Sequence, residues 1–199
     1  MSFIQRMVRA GRDGFFLRGL RGTGKTSWCA HQYPNALRVD LLNPAVLRRY
    51  IATPEYFIEL LEANSKTKQI VIDAIPKLPE LLEVVHLLIE RKIGAQFILT
   101  GSSARKLRRQ GVNLLGGRAG QPMHPCMAAE LGTRFKLATA LRQGMLPVVW
   151  DTDDPVSVLE AYNALYLREE VQMEGLCETS ARSLDSSKRR ASATHPFST

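Results

Sequence analysis

Cysteine is scarce in this 199-residue chain: Cys29, Cys126 and Cys177 are an odd number, and none sits in a C-x-x-C or Cys/His spacing. That supports neither a disulfide framework nor a structural zinc site, and a reducing cytoplasm is the simplest compartment it implies. No uninterrupted apolar run reaches the ~18 residues that a membrane span needs. Glu83, His86 and Glu90 interrupt the most apolar stretch, around Leu81 to Ile89. Acids are few: 19 Asp and Glu stand against 27 Lys and Arg, for a formal charge of +8. Such a balance suits polyanionic partners such as nucleotides or nucleic acid, and equally a merely basic soluble protein. Arg6, Arg9 and Arg12 precede the first acid in the manner of a transit peptide, but the strongest motif begins at Gly19 and needs the strand just before it. There is no internal repeat.

What is present suffices for one domain of ordinary size. A hydrophobic fraction of 45% with 23% charged residues can bury a core and excludes a wholly disordered chain. Short apolar runs, Phe15 to Leu17, Ala36 to Val39, Gln69 to Ile72 and Gln96 to Leu99, read as strands, with helical patterns between them. This alternation predicts an α/β domain with a mainly parallel sheet flanked by helices. Pro79 opens a helix with Leu81, Leu82, Val85, Leu88 and Ile89 on one face, placed to cover the sheet. Pro155 opens another, running through Leu159, Tyr162 and Leu165 toward Leu176. The domain boundaries that follow are a core over 1–154, a helical extension over 155–176, and a tail over 177–199 that has almost no large apolar residues and no periodicity and reads as disordered.

The segment Gly19-Leu20-Arg21-Gly22-Thr23-Gly24-Lys25-Thr26 satisfies G-x-x-x-x-G-K-[ST], follows an apolar strand and precedes a helix-compatible segment. In such a phosphate-binding loop the glycines let the backbone wrap a phosphate, and successive N–H groups and the helix N-terminus supply positive potential. Lys25 would reach the β- and γ-phosphates of a nucleotide, and the Thr26 hydroxyl would bind Mg²⁺. Asp73, at the end of the apolar run Gln69 to Ile72, is the expected second Mg²⁺ group, against the plainer reading of a strand-end cap. After the Gln96 to Thr100 strand, Ser102 and Ser103 either sense the γ-phosphate or attacking water, or cap the next helix.

The strings V-I-D-A-I-P-K-L-P-E-L-L-E-V-V-H, F-I-L-T-G-S-S-A-R-K-L-R-R-Q-G-V-N-L-L-G-G-R-A, G-M-L-P and Y-L-R-E-E-V-Q-M-E-G-L resemble the prokaryotic AAA+ superfamily ATPases whose AAA core is followed by a C-terminal domain of unknown function. The resemblance runs from about Phe15 to Leu176. It implies a P-loop NTPase core of AAA type, with Lys25 and Thr26 on nucleotide and Mg²⁺, Asp73 as the second-motif aspartate, and Ser102 or Ser103 as sensor. Arg118, in G-G-R-A, matches a recurrent arginine of that family; on chemistry alone it approaches a phosphate or is a surface arginine. Homo-oligomerisation is implied by analogy only.

Three departures stand out. The family normally has Asp-Glu where this chain has Asp73-Ala74, and the glutamate is the base expected to polarise water. Pro76 replaces a usual glutamine, and the chain ends where the family's C-terminal domain should start. An ATP-binding AAA-like protein with impaired hydrolysis is therefore the leading expectation. The alternative is a nucleotide-responsive regulatory or nucleic-acid-binding module with negligible turnover. For the latter, Arg105, Lys106, Arg108 and Arg109 offer phosphate contacts, though without aromatic interleaving they equally form a solvated helix face. His31, His86, His124 and His195 lack ligand spacing and a nucleophile partner.

The tail carries one further expectation. A synonymous codon set for Cys177 to Pro196, read from its third base, gives R-N-I-G-A-F-A-R-F-L-E-A-A-S-F-S-H-P, which looks like the family's continuation after Glu-Gly-Leu. One lost base after the Leu176 codon would produce the tail as a frameshift and remove the C-terminal domain. Reading the gene should show a family-like continuation in the shifted frame; an early stop there overturns the explanation.

Overall fold

The structure, a computed structural model, describes residues 3–11, 13–102 and 120–166. Five strands, β1 (Phe15–Arg18), β2 (Leu37–Asp40), β3 (Gln69–Asp73), β4 (Gln96–Gly101) and β5 (Gly120–Pro122), form one sheet in the order β2-β3-β4-β1-β5. Every pairing is parallel. A parallel sheet needs crossover helices, and they cover both of its faces. The four predicted strands are present, each within a residue or two of its apolar run.

Which helix covers which face follows from the strand order. The step from β1 to β2 runs one way along the sheet, and the steps from β2 to β3 and β3 to β4 run the other way. Right-handed crossovers then place the first connection on one face and the next two on the opposite face. Accordingly α1 (Lys25–Gln32) packs Trp28 and Cys29 against Phe15, Leu17, Val71 and Ile98. The other face carries α2 (Pro44–Ala52), α3 (Tyr56–Ala63) and α4 (Glu80–Glu90). Their Tyr50, Phe57, Leu81, Leu82 and Val85 pack with Phe16, Ile70, Ile72, Phe97 and Leu99. Odd and even strand positions thus serve two separate cores, as a period of two requires.

Local chemistry sets the helix starts. Asn43 caps α2, its Oδ1 accepting from the Ala45 N–H at 2.9 Å, with Pro44 pre-set for the first turn. Pro79 stands at the start of α4, whose Leu81, Leu82, Val85 and Leu88 are buried as the spacing predicts. Arg38 of β2 closes the other end of α1, donating to the Cys29 and Tyr33 carbonyls at 2.9 and 2.8 Å.

Beyond β5 come α5 (Ala128–Leu131), α6 (Leu137–Gln143) and α7 (Pro147–Trp150). The Pro155 helix, α8, spans Pro155–Tyr166, and its expected continuation toward Leu176 lies outside the described residues. The tail from Cys177 lies outside them as well. Among the described residues no helix is long and apolar enough to cross a membrane.

Candidate functional site

The carboxyl end of a parallel sheet, where neighbouring strands send their connections in opposite directions, is where ligands bind in open α/β folds. Here that point lies at β1 and β4: the chain leaves β1 toward β2 on one side and leaves β4 toward β5 on the other. The glycine-rich loop starts there. The Gly19 N–H donates to the Gly101 carbonyl at 3.2 Å, and the Met123 N–H donates to the Arg18 carbonyl at 2.6 Å, so the ends of β4 and β5 grip the loop's root. A Cβ at Gly19 would lie 2.1 Å from the Met123 carbonyl oxygen, which leaves room for hydrogen alone. Gly22 and Gly24 take φ of +77° and +84°, which L side chains rarely adopt.

Gly24 hands the chain to α1, whose first hydrogen bond runs from the Trp28 N–H to the Gly24 carbonyl at 2.8 Å. The N–H groups of that first turn have no partner within the helix and supply positive potential there. Thr23 is fully buried and closes the loop internally, its hydroxyl donating to the Leu20 carbonyl at 2.8 Å. Lys25 lays its ammonium across the loop's root, donating to the Gly19 and Leu20 carbonyls at 2.6 and 2.8 Å. Both are neutral acceptors, which anionic phosphate oxygens would outcompete, because charge-assisted bonds are roughly twice as strong.

Thr26 and Asp73 stand 47 residues apart in the chain, and the structure brings them together: the Thr26 hydroxyl donates to Asp73 Oδ2 at 2.5 Å. The other carboxylate oxygen, Oδ1, accepts from the Thr100 hydroxyl, which also accepts from the Ala74 N–H at 3.1 Å. Strand parity explains the meeting. Val71 and Ile98 face α1, so Asp73 and Thr100, two residues on, face it too. Thr100 is fully buried, and nothing in its apolar strand distinguishes it from the serines that follow. It is the residue that sequence reasoning missed, the signal being its parity with Ile98. Ser102 lies one residue past β4 and is half-buried. Ser103, Arg105, Lys106, Arg108, Arg109 and Arg118 lie outside the described residues.

Ala74 occupies the left-handed region, φ +59°, and opens a 3₁₀ turn over Ile75–Lys77. Its methyl packs against the core on the α4 side, away from the α1 face that Asp73 serves. The Pro76 ring covers Gly101, where a Cβ would lie 2.7 Å from its Cγ. Cys29 is buried on the sheet-facing side of α1; burial, with the nearby Asp73 carboxylate adding to it, pushes its thiol up to about 12, so it stays protonated and unreactive.

A hard cation could be held by Thr26 and Asp73 together. Among the described residues there is no group of three or more His, Cys, Asp or Glu suited to a metal. One carboxylate and one hydroxyl leave most positions of an octahedral ion to phosphate oxygens and water, the habit of Mg²⁺ rather than of zinc. The residues present therefore fit a Mg-nucleotide.

Comparison with known proteins agrees with this geometry. A family model described as an AAA domain matches residues 12–131, and the chain belongs to that family. No curated protein matches it.

The Thr100 bridge has a measurable consequence. Thr100→Val keeps the shape but leaves the Ala74 N–H and Asp73 Oδ1 without their shared partner, at a cost of about 1–3 kcal/mol. Urea unfolding at pH 7 should show that loss, and Thr100→Ser should recover most of it. A Thr100→Val protein as stable as the natural one would show the bridge to be dispensable.

Proposed function

We propose that this AAA-domain protein binds ATP with Mg²⁺ at the Gly19–Thr26 loop and hydrolyses it slowly. The observation that carries this reading is the Thr26–Asp73 pair, poised at the N-terminus of α1 where the loop ends. On nucleotide binding Lys25 exchanges its two loop carbonyls for β- and γ-phosphate oxygens. Thr26 and Asp73 would hold the ion, their mutual hydrogen bond giving way to it. A Mg²⁺ ion held by Thr26 and Asp73 would supply positive charge against the negative charge that develops on the phosphates. Loop and first-turn N–H groups receive the remaining negative charge.

The weak point is proton removal. Hydrolysis requires a water to attack the γ-phosphorus and lose its proton as the bond to the bridging oxygen breaks. A carboxylate at position 74 would take that proton, and this chain has alanine there. Ser102 lies just past β4, near enough in the chain to orient water, and hydroxyls are poor bases at neutral pH. Ala74 equally favours a second reading, a nucleotide-responsive module that hardly turns over. Phosphate release with and without DNA separates the two.

Mg-ATP or Mg-ADP at about one hundred times Kd should stabilise the protein by roughly 2.7 kcal/mol. Thermal melts should rise with nucleotide, and Lys25→Ala should abolish most of the rise; a melt of the natural protein that ignores millimolar nucleotide would sink the reading.

Turnover should be slow, and Ala74→Glu should raise it by an order of magnitude or more, toward the ~10²–10⁴-fold of a positioned base. Position 74 is half-exposed, so a longer side chain has an exit to solvent. Brisk hydrolysis by the natural chain, unchanged by Ala74→Glu, would mean that another group supplies the base.

A further inference from the structure

The described residues before β1 form no regular element, yet one of them buries a charged side chain against the loop. Arg6 leaves only 4% of its side chain exposed, and its ion-pair partner Glu130, on α5, leaves 1%. Arg6 Nε donates to Glu130 Oε2 at 3.1 Å, one terminal nitrogen donates to the His124 carbonyl at 2.6 Å, and the other donates to the Thr23 carbonyl at 2.5 Å. Glu130 is equally occupied, accepting from the backbone N–H groups of Met7 and Met127 at 2.6 and 2.9 Å. A buried guanidinium with a neutralised charge adds little field at the site. Its effect is geometric.

The contact with Thr23 falls on the peptide that joins Thr23 to Gly24. That peptide is trans and planar, so its carbonyl and its N–H point in opposite directions. Glycine resists a peptide flip least of all residues, and Gly24 already sits at φ +84°. We propose that Arg6 is a positioning residue: by holding the Thr23 carbonyl it turns the Gly24 N–H away from itself and keeps it as a phosphate donor. Without it the peptide is free to flip and present a carbonyl to an anion. The guanidinium fork reaches the Thr23 and His124 carbonyls and Glu130 at once, a set of directions that the single ammonium of lysine cannot reproduce. The consequence for affinity rests on the nucleotide reading above; the orientation of the peptide does not.

The test has two arms on the full chain. Without nucleotide, the Gly24 amide resonance of Arg6→Lys protein should move strongly while those of Ile72 and Leu99 stay in place. With Mg-ADP, calorimetry on folded Arg6→Lys should show affinity weakened tenfold or more, and in Arg6→Gly methylguanidinium, but not methylammonium, should restore it. If Arg6→Lys does not fold, Glu130→Gln, which loosens the guanidinium without removing it, is read in the same two ways. Unchanged affinity together with an unmoved Gly24 amide would reduce Arg6 to a tether of the N-terminal segment and overturn the proposal. Should the natural protein bind no nucleotide, the ATP reading falls, and the Gly24 amide alone decides the role of Arg6.

Discussion

The Asp73 carboxylate, held between the hydroxyls of Thr26 and Thr100, is the interaction on which the carboxyl edge of the sheet depends. It is 8% exposed, and a carboxylate so placed is tolerable only because both of its oxygens have donors. Through Thr26 it anchors the first turn of α1 to β3, and through Thr100 it ties β3 to β4. The same network that stabilises the edge fixes where a cation and a triphosphate would lie. An ion entering there would replace a hydrogen bond the fold already uses.

The surroundings of position 74 show backbone constraints that do not depend on the side chain. The chain turns sharply after Asp73, through a left-handed residue and a short 3₁₀ turn, and the Ala74 N–H is tied to Thr100. Those constraints fall on the backbone and are indifferent to the side chain. Alanine satisfies them, pays a small strain for its positive φ, and fills the edge of the α4-side core. Nothing in the backbone selects for a carboxylate at 74, and alanine there leaves the Thr26–Asp73–Thr100 network intact.

The root of the glycine loop is likewise a shared structure. Backbone bonds from Gly19 to Gly101 and from Met123 to Arg18 join three strand ends, and the absence of a Cβ at Gly19 lets the Met123 carbonyl approach. The segment before β1 and the helix after β5 add a second hold through Arg6 and Glu130. The loop is gripped from both sides by parts of the chain that precede and follow the whole sheet.

The sequence by itself determined the features that local chemistry writes within a few residues. Four strands were legible as short apolar runs, α4 by its spacing after a proline, and the loop and Asp73 by residue type and order. What failed to show locally was β5: Gly120–Pro122 is short and polar, and becomes a strand only because β1 offers it an unpaired edge. Thr100 looked like one more strand residue, and Arg6 like one more charge near a terminus. Only the tertiary structure decided that Thr100 meets Asp73, 27 residues away, and that Arg6 meets Glu130, 124 residues away. The physical reason is that strand order and crossover hand select which distant residues share a face, whereas periodicity records only that each has one.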